Sequence, residues 1–369
     1  MPRPNTRDYA QLFLNDTPLF DTRAPVEFHQ GAFPTALSLP LMDDAERAQV
    51  GTCYKQHGQQ AAIELGHRLV QGELKARRVA AWKAFAEAHP GGYLYCFRGG
   101  LRSRITQQWL AEAGIDYPFV EGGYKAMRRF LITLIEEQAA ARPLVILGGR
   151  TGTGKTKVID RVEACVDLEG LAHHRGSSFG RRVREQPSQI DFENALAIAL
   201  LKKRESCPGA LLLEDESRLI GRLSLPHSLN DAMAQAPLVL LEVPLAQRID
   251  TVVEDYVVDL SAEYRAEFGA EEGERRYATY MLESLDRIHK RLGAERHAAI
   301  GALMRAALAA QAQGDLSLHR RWIEQLLVQY YDPMYDYQLS KKRERVLFRG
   351  DREAICGWFE QYRATAVPR

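Results

Sequence analysis

The sequence is poor in the features that would build a metal or disulfide framework. Only five of its 369 residues are cysteine, at positions 53, 96, 165, 207 and 356. They are odd in number, widely scattered, and form no C-x-x-C pair, which suggests neither a zinc ribbon nor a disulfide scaffold. His173, His174 and the acidic residues show no metal-ligand spacing, so no zinc site is proposed. Charge of one sign is also lacking: the net charge is +1. The chain as a whole is not a polycation, and any nucleic-acid surface must be a local basic patch. No apolar run approaches the roughly 18 residues that a membrane span needs. The N-terminal MPRPNTRDYAQLF lacks the apolar core of a secretory signal, so no membrane association and a cytoplasmic location are expected. Internal repeats and low-complexity segments are absent.

Hydrophobic residues make up 46% and charged residues 26%, ordinary values for a globular protein. The length implies two or three domains. Short apolar runs alternate with helical patterns, which predicts an α/β chain. The first domain is expected over 1–135, with strands ending near Asp21, at Ala36-Leu37-Ser38-Leu39, at Tyr93 to Phe97 and at Asp116 to Val120. Helices are expected over Arg78 to His89 and Ile105 to Ala113. A second α/β domain is expected over 136–285, with strands at Leu144 to Leu147, Leu211 to Leu213 and Leu238 to Leu241. From about Asp286 no further strand pattern is found. Residues 286–369 therefore read as a helical, locally basic extension, with long helices over Ile288 to Ala310 and Ser317 to Tyr331.

Cys96 alone among the cysteines has a context that calls for a thiol. It follows the apolar Tyr93-Leu94-Tyr95. Gly99 and Gly100 then let the backbone curl, and a helical pattern follows. Successive amides in such a turn form an anion nest. The helix start adds partial positive charge, and Arg98 and Arg102 add two full charges. A thiol held there ionises readily, and the thiolate is the nucleophile. The bland alternative is a buried thiol beside a sharp turn.

Gly149-Arg150-Thr151-Gly152-Thr153-Gly154-Lys155-Thr156 matches G-x-x-x-x-G-K-[ST] between a strand and a helix. Gly149, Gly152 and Gly154 let amides wrap a di- or triphosphate. Lys155 is placed for the terminal phosphates, and Thr156 for Mg2+. The run Leu211 to Glu216 has the form of the companion strand whose terminal acid contacts that metal. Asp215 is preferred over Glu214 as that acid.

Several stretches resemble known families. Asp21-Thr22-Arg23 with Glu27-Phe28, Gly31 to Ala36, the loop Cys96 to Arg102, and Glu121-Gly122-Gly123-Tyr124-Lys125-Ala126 resemble a rhodanese domain over about residues 8 to 130. Met127 stands where that family usually has tryptophan. A rhodanese-like domain joined to a P-loop NTPase-like α/β domain is similar to the tRNA 2-selenouridine synthases. Gly51 to Gly58, Arg175 to Gly180, Gln186 to Gln189, Glu214 to Arg218 and Tyr331 to Asp336 extend the likeness over nearly the whole chain. The resemblance implies that sulfur at position 2 of a wobble 2-thiouridine in tRNA is replaced by selenium. It implies selenophosphate as donor, a selenophosphate-producing enzyme as a partner, and geranyl transfer from geranyl diphosphate onto that sulfur. The phosphate loop would then hold geranyl diphosphate or a nucleotide.

Two basic stretches fit an RNA backbone: Arg175, Arg181 and Arg182 around a Gly-Ser-Ser-Phe-Gly turn, and Lys341, Lys342 and Arg343 near Tyr330, Tyr331, Tyr335 and Tyr337. The alternatives are a solvated charged face and tyrosines in a core. For the whole chain, the rival readings are a nucleotide-dependent kinase or ATPase regulated by a rhodanese domain, a generic sulfurtransferase, and an RNA-binding module with a degenerate rhodanese fold.

Overall fold

The computed structural model describes residues 3–365. They divide into two compact units, 1–136 with 188–202, and 137–187 with 203–369.

The first unit is built on three short parallel strands, β1 (Leu19–Asp21), β2 (Ala36–Ser38) and β3 (Tyr93–Tyr95), in the order β2-β1-β3. β1 is central and buried throughout, as its unbroken apolar Leu19-Phe20 requires. Phe20, Leu94, Trp82, Trp109, Leu110 and Tyr117 form its core. The strand expected over Asp116 to Val120 is reduced to isolated bridges, Leu94 with Phe119 and Thr6 with Val120. The helix expected from Ile105 begins earlier, at Leu101, directly after the cysteine loop.

A helix over Asp44–Leu69 is broken at Gly58, where φ is 80° and ψ −175°. That region is open essentially to glycine alone. Asp43 caps the first arm by accepting from the Glu46 amide at 2.8 Å, and the Glu46 carboxylate in turn accepts from the Asp43 amide.

The second unit carries a five-stranded, wholly parallel sheet. Its strands are β4 (Leu144–Gly149), β5 (Cys165–Val166), β6 (Leu211–Glu214), β9 (Leu238–Leu241) and β10 (Val346–Gly350), in the order β10-β9-β4-β6-β5. The short β7 (Leu219–Ile220) and β8 (Leu223–Ser224) form a separate antiparallel pair. β4, β6 and β9 are buried along their whole length, as their unbroken apolar runs predict.

β10 corrects the reading of 286–369 as a helical extension. It pairs in parallel with β9, so the region expected to be a helical extension instead returns a strand to complete the phosphate-loop sheet. Its residues alternate between half-buried and exposed, as suits an edge strand. Following Lys341-Lys342-Arg343, that pattern reads in sequence as a solvated charged stretch. The helix predicted over Ile288 to Ala310 is interrupted at Gly293, and the one predicted to end at Tyr331 runs over His319–Leu326 and continues in wider turns to Tyr331. A second core, rich in tyrosine and leucine, gathers Tyr256, Tyr277, Met281, Trp322, Tyr330 and Tyr331.

A Cβ at Gly58 meets nothing within 4 Å, so Gly58→Ala pays only for its backbone conformation. The expected loss is about 1–3 kcal/mol, measured as a fall in the urea midpoint at unchanged slope.

Candidate functional sites

In the first unit Cys96 follows β3 and is 3% exposed. The amides of Phe97 to Arg102, which follow the thiol directly in the chain, reach no acceptor among the described residues, so this loop carries a run of unpaired donors. The Glu121-Gly122-Gly123 segment holds this loop from behind. The Tyr124 and Lys125 amides donate to the carbonyls of Cys96 and Phe97, each at 2.9 Å. Gly123 has φ 56°, and a Cβ there would lie 2.2 Å from the Cys96 carbonyl oxygen. Only glycine permits that approach.

The Asp21-Thr22-Arg23 motif supports the same region. Arg23 is buried, pairs with Asp21 at 2.7 Å, and donates to the Gly31 carbonyl at 2.7 Å. Its guanidinium lies 3.7 Å from the Tyr124 ring centre. Glu27 accepts from Arg102 at 2.8 Å and from the Ala24 amide at 3.1 Å. Burial alone would raise the Glu27 carboxyl, but Arg102 outweighs it and holds the group below its ordinary range. Arg102 is thus spent on Glu27, whereas Arg98 is exposed. The loop opens on a cleft of about 1340 Å³ that Cys96, Arg98 and Arg102 help to line.

In the second unit the phosphate-loop motif lies where the sequence places it. Gly149 ends β4, Gly152 and Gly154 take positive φ, and a short helix starts at Thr156. The amides of Gly152, Gly154, Lys155 and Thr156 reach no acceptor among the described residues. Two guanidinium–carboxylate clamps brace this loop. Arg248, itself buried, donates to the Thr151 carbonyl at 2.9 Å and pairs with Asp332 at 2.5 Å. Arg150 forks onto Asp336, with both carboxylate oxygens at 2.8 Å. Asp332 and Asp336 belong to the Tyr331 to Asp336 motif, so a segment far along the chain shapes the loop. Sequence reasoning noted that motif without its role and missed Arg248. Removing one partner of a buried pair such as Arg248–Asp332 typically costs about 3–5 kcal/mol.

Lys155 faces a group of acids: Asp215 and Glu214, weighed in the sequence as the strand-end acid, with Glu216 beside them, and Glu169, which the sequence did not single out. Burial alone would lower its ammonium, but Glu169, Glu216, Glu214 and Asp215 outweigh this and hold it above its ordinary value. Glu214, at the end of β6, is fully buried. One of its oxygens accepts from the Glu169 amide at 3.0 Å, and the other has no partner. Burial, reinforced by Glu169, pushes the Glu214 carboxyl up to about 8. Glu169 also rises to about 8, chiefly through burial and against the pull of Lys155. The preferred strand-end acid, Asp215, is paired with Lys342 at 2.6 Å. Among the described residues no three His, Cys, Asp or Glu side chains share a metal position, so a metal here would take most of its ligands from phosphate and water.

The basic residues read as RNA contacts divide. Arg175 donates to the Asp255 carbonyl and lies over the Tyr256 ring, Arg182 sits 3.8 Å from Glu263, and Lys342 is held by Asp215. Arg181, Lys341 and Arg343 are exposed. Tyr330 and Tyr331 are core residues, the alternative weighed against base stacking, while Tyr337 is 63% exposed beneath Lys341.

Residues 142–366 match the family described as "tRNA 2-selenouridine synthase AAA domain". This chain belongs to the tRNA 2-selenouridine synthase family. A tRNA 2-selenouridine synthase from Hahella chejuensis is 58% identical, over 98% of this chain and 96% of its own length. Those from Marinobacter nauticus and Azotobacter vinelandii are 56% and 57% identical, covering 96% and 99% of this chain and 97% and 99% of their own lengths. The family relation thus covers both the cysteine loop and the phosphate loop. No helix among the described residues is long and apolar enough to cross a membrane.

With both carboxyls raised toward 8, the ligand-free synthase fold holds more protons than its unfolded chain between about pH 4.5 and 8. Its stability should therefore fall as pH rises through that window. Glu214→Gln, which fixes the neutral form, should flatten the fall. Thermal midpoints at pH 6 and pH 8.5 read this directly, and an unchanged slope would acquit Glu214.

Proposed function

We propose that this chain replaces sulfur by selenium at position 2 of a wobble 2-thiouridine in tRNA, through an S-geranylated intermediate. The first unit is read as a rhodanese-like domain that handles selenium, and the second as the site of alkylation. The observation that carries this reading is the presence, in one chain of the synthase family, of two runs of unpaired amides, one in the loop after Cys96 and the other in the loop that carries Lys155.

The order of steps follows from leaving-group chemistry. A thiocarbonyl sulfur leaves poorly, whereas an alkylated one leaves as a thiol. In the first step the uridine sulfur attacks the terminal methylene of geranyl diphosphate. A C–S bond forms, the C–O bond breaks, diphosphate departs and the base loses a proton. The amides of Gly152, Gly154, Lys155 and Thr156, with the Lys155 ammonium, stabilise the charge gathering on diphosphate. A bound Mg2+ would add further charge neutralisation there, held by the Thr156 hydroxyl and the Asp215 carboxylate.

In the second step selenium from selenophosphate attacks C2 of the base. A C–Se bond forms, the C–S bond breaks and geranylthiol leaves with a proton. Water then cleaves the P–Se bond to release phosphate, and no atom changes its overall oxidation level. Cys96, the loop amides and Arg98 hold the selenophosphate-derived species. Arg181, Lys341 and Arg343 are the exposed cations offered to the tRNA backbone.

Mass spectrometry of wobble nucleosides separates the two steps. Lys155→Ala should abolish geranylation, and an unaffected rate would remove the phosphate loop from alkylation. Cys96→Ala should stop selenation yet spare geranylation. Normal selenation in that variant would retire Cys96 from selenium handling.

A further inference from the structure

The cleft beside Cys96 offers more apolar surface than a selenium donor can use. Selenophosphate is a small anion, for which the loop amides and Arg98 suffice. The cleft, at about 1340 Å³, exceeds the roughly 300–1,000 Å³ usual for small-molecule pockets. The two arms of the Asp44–Leu69 helix, folded at Gly58, bring Val50 and Ile63 to its wall. The helix after the cysteine loop brings Leu101, Ile105 and Trp109. Val50, Ile63 and Ile105 are only half-buried, and Leu101 is 44% exposed. Val50 and Ile105 rest on the core of the first unit with part of their surface left facing the cleft, and Leu101 and Ile63 add to that exposed apolar wall, which suits an apolar ligand.

We infer that the cleft beside Cys96 binds the isoprenoid chain of the S-geranylated uridine and holds it while selenium displaces the thiol. The inference rests on the alkylate-then-displace order proposed above and adds the location of the chain. It makes the apolar wall a specificity element: a longer hydrocarbon on sulfur gains contact in the cleft, and a methyl group gains little. The bond changes are those of the second step, with the chain leaving the cleft as geranylthiol.

The test uses the full-length protein, selenophosphate, and anticodon stem-loops carrying S-geranyl- or S-methyl-2-thiouridine. Formation of 2-selenouridine is followed by mass spectrometry. The wild type should convert the geranyl substrate at least tenfold faster. Ile63→Trp and Val50→Trp, which fill the cleft, should each lower the geranyl-to-methyl rate ratio by tenfold or more. Because the readout is a ratio, a general loss of folded protein cancels. An unchanged ratio in both variants overturns the cleft assignment. A diazirine-bearing geranyl substrate locates the chain independently of turnover. Crosslinks within 44–70 or 96–109 support the cleft, and crosslinks confined to 137–187 or 203–369 overturn it. If the wild type leaves the S-geranyl substrate unconverted yet crosslinks it within the cleft, the displacement order fails and the binding site stands.

Discussion

Both candidate sites depend on one constraint: a run of backbone amides must be kept open without being filled by its own chain. Backbone donors without protein partners leave a loop free to refold onto them unless something braces it. The two units meet the constraint differently. At Cys96 the restraint is backbone against backbone, with the Tyr124 and Lys125 amides tying the loop from behind and Gly123 admitting the contact. At the phosphate loop the restraint is ionic, with Arg248 and Arg150 gripping the loop and the Tyr331 to Asp336 segment.

Charge is arranged around these loops so that neither stands bare. Arg102 is compensated by Glu27, and Lys155 by a group of acids dominated by Glu169, Glu216 and Glu214. The acids are crowded enough that burial and mutual repulsion drive two of them up to about 8.

Much of this was legible in the sequence. β4, β6 and β9 are fully buried parallel strands, and such strands must be continuously apolar. Their starts and apolar cores could be read from the sequence, although β4 runs two residues further, to Gly149, and β6 one, to Glu214. The phosphate loop was legible because its glycines and lysine occupy a fixed spacing. The cysteine loop was legible because a thiol between a strand and a glycine turn is uncommon. β10 was not, because an edge strand buries only alternate side chains and this one adjoins a basic run. The tyrosines at 330 and 331 could be read as core or as stacking platforms, and burial chose the core.

By itself the sequence determined which atoms are available for chemistry: one thiol in a nest, one lysine in a phosphate loop, and the strands that carry them. These depend on neighbours within a few residues, and local spacing encodes such relations. Only the tertiary structure decided which charges remain free. Arg102, Arg175 and Lys342 look alike in sequence to Arg98, Arg181 and Lys341, yet the former are engaged by Glu27, Asp255 and Asp215. It also decided that Asp332 and Asp336 brace a loop some 180 residues earlier, Arg150 and Asp336 being 186 apart. Pairing over such separations is set by how the sheet closes, and no local pattern records it.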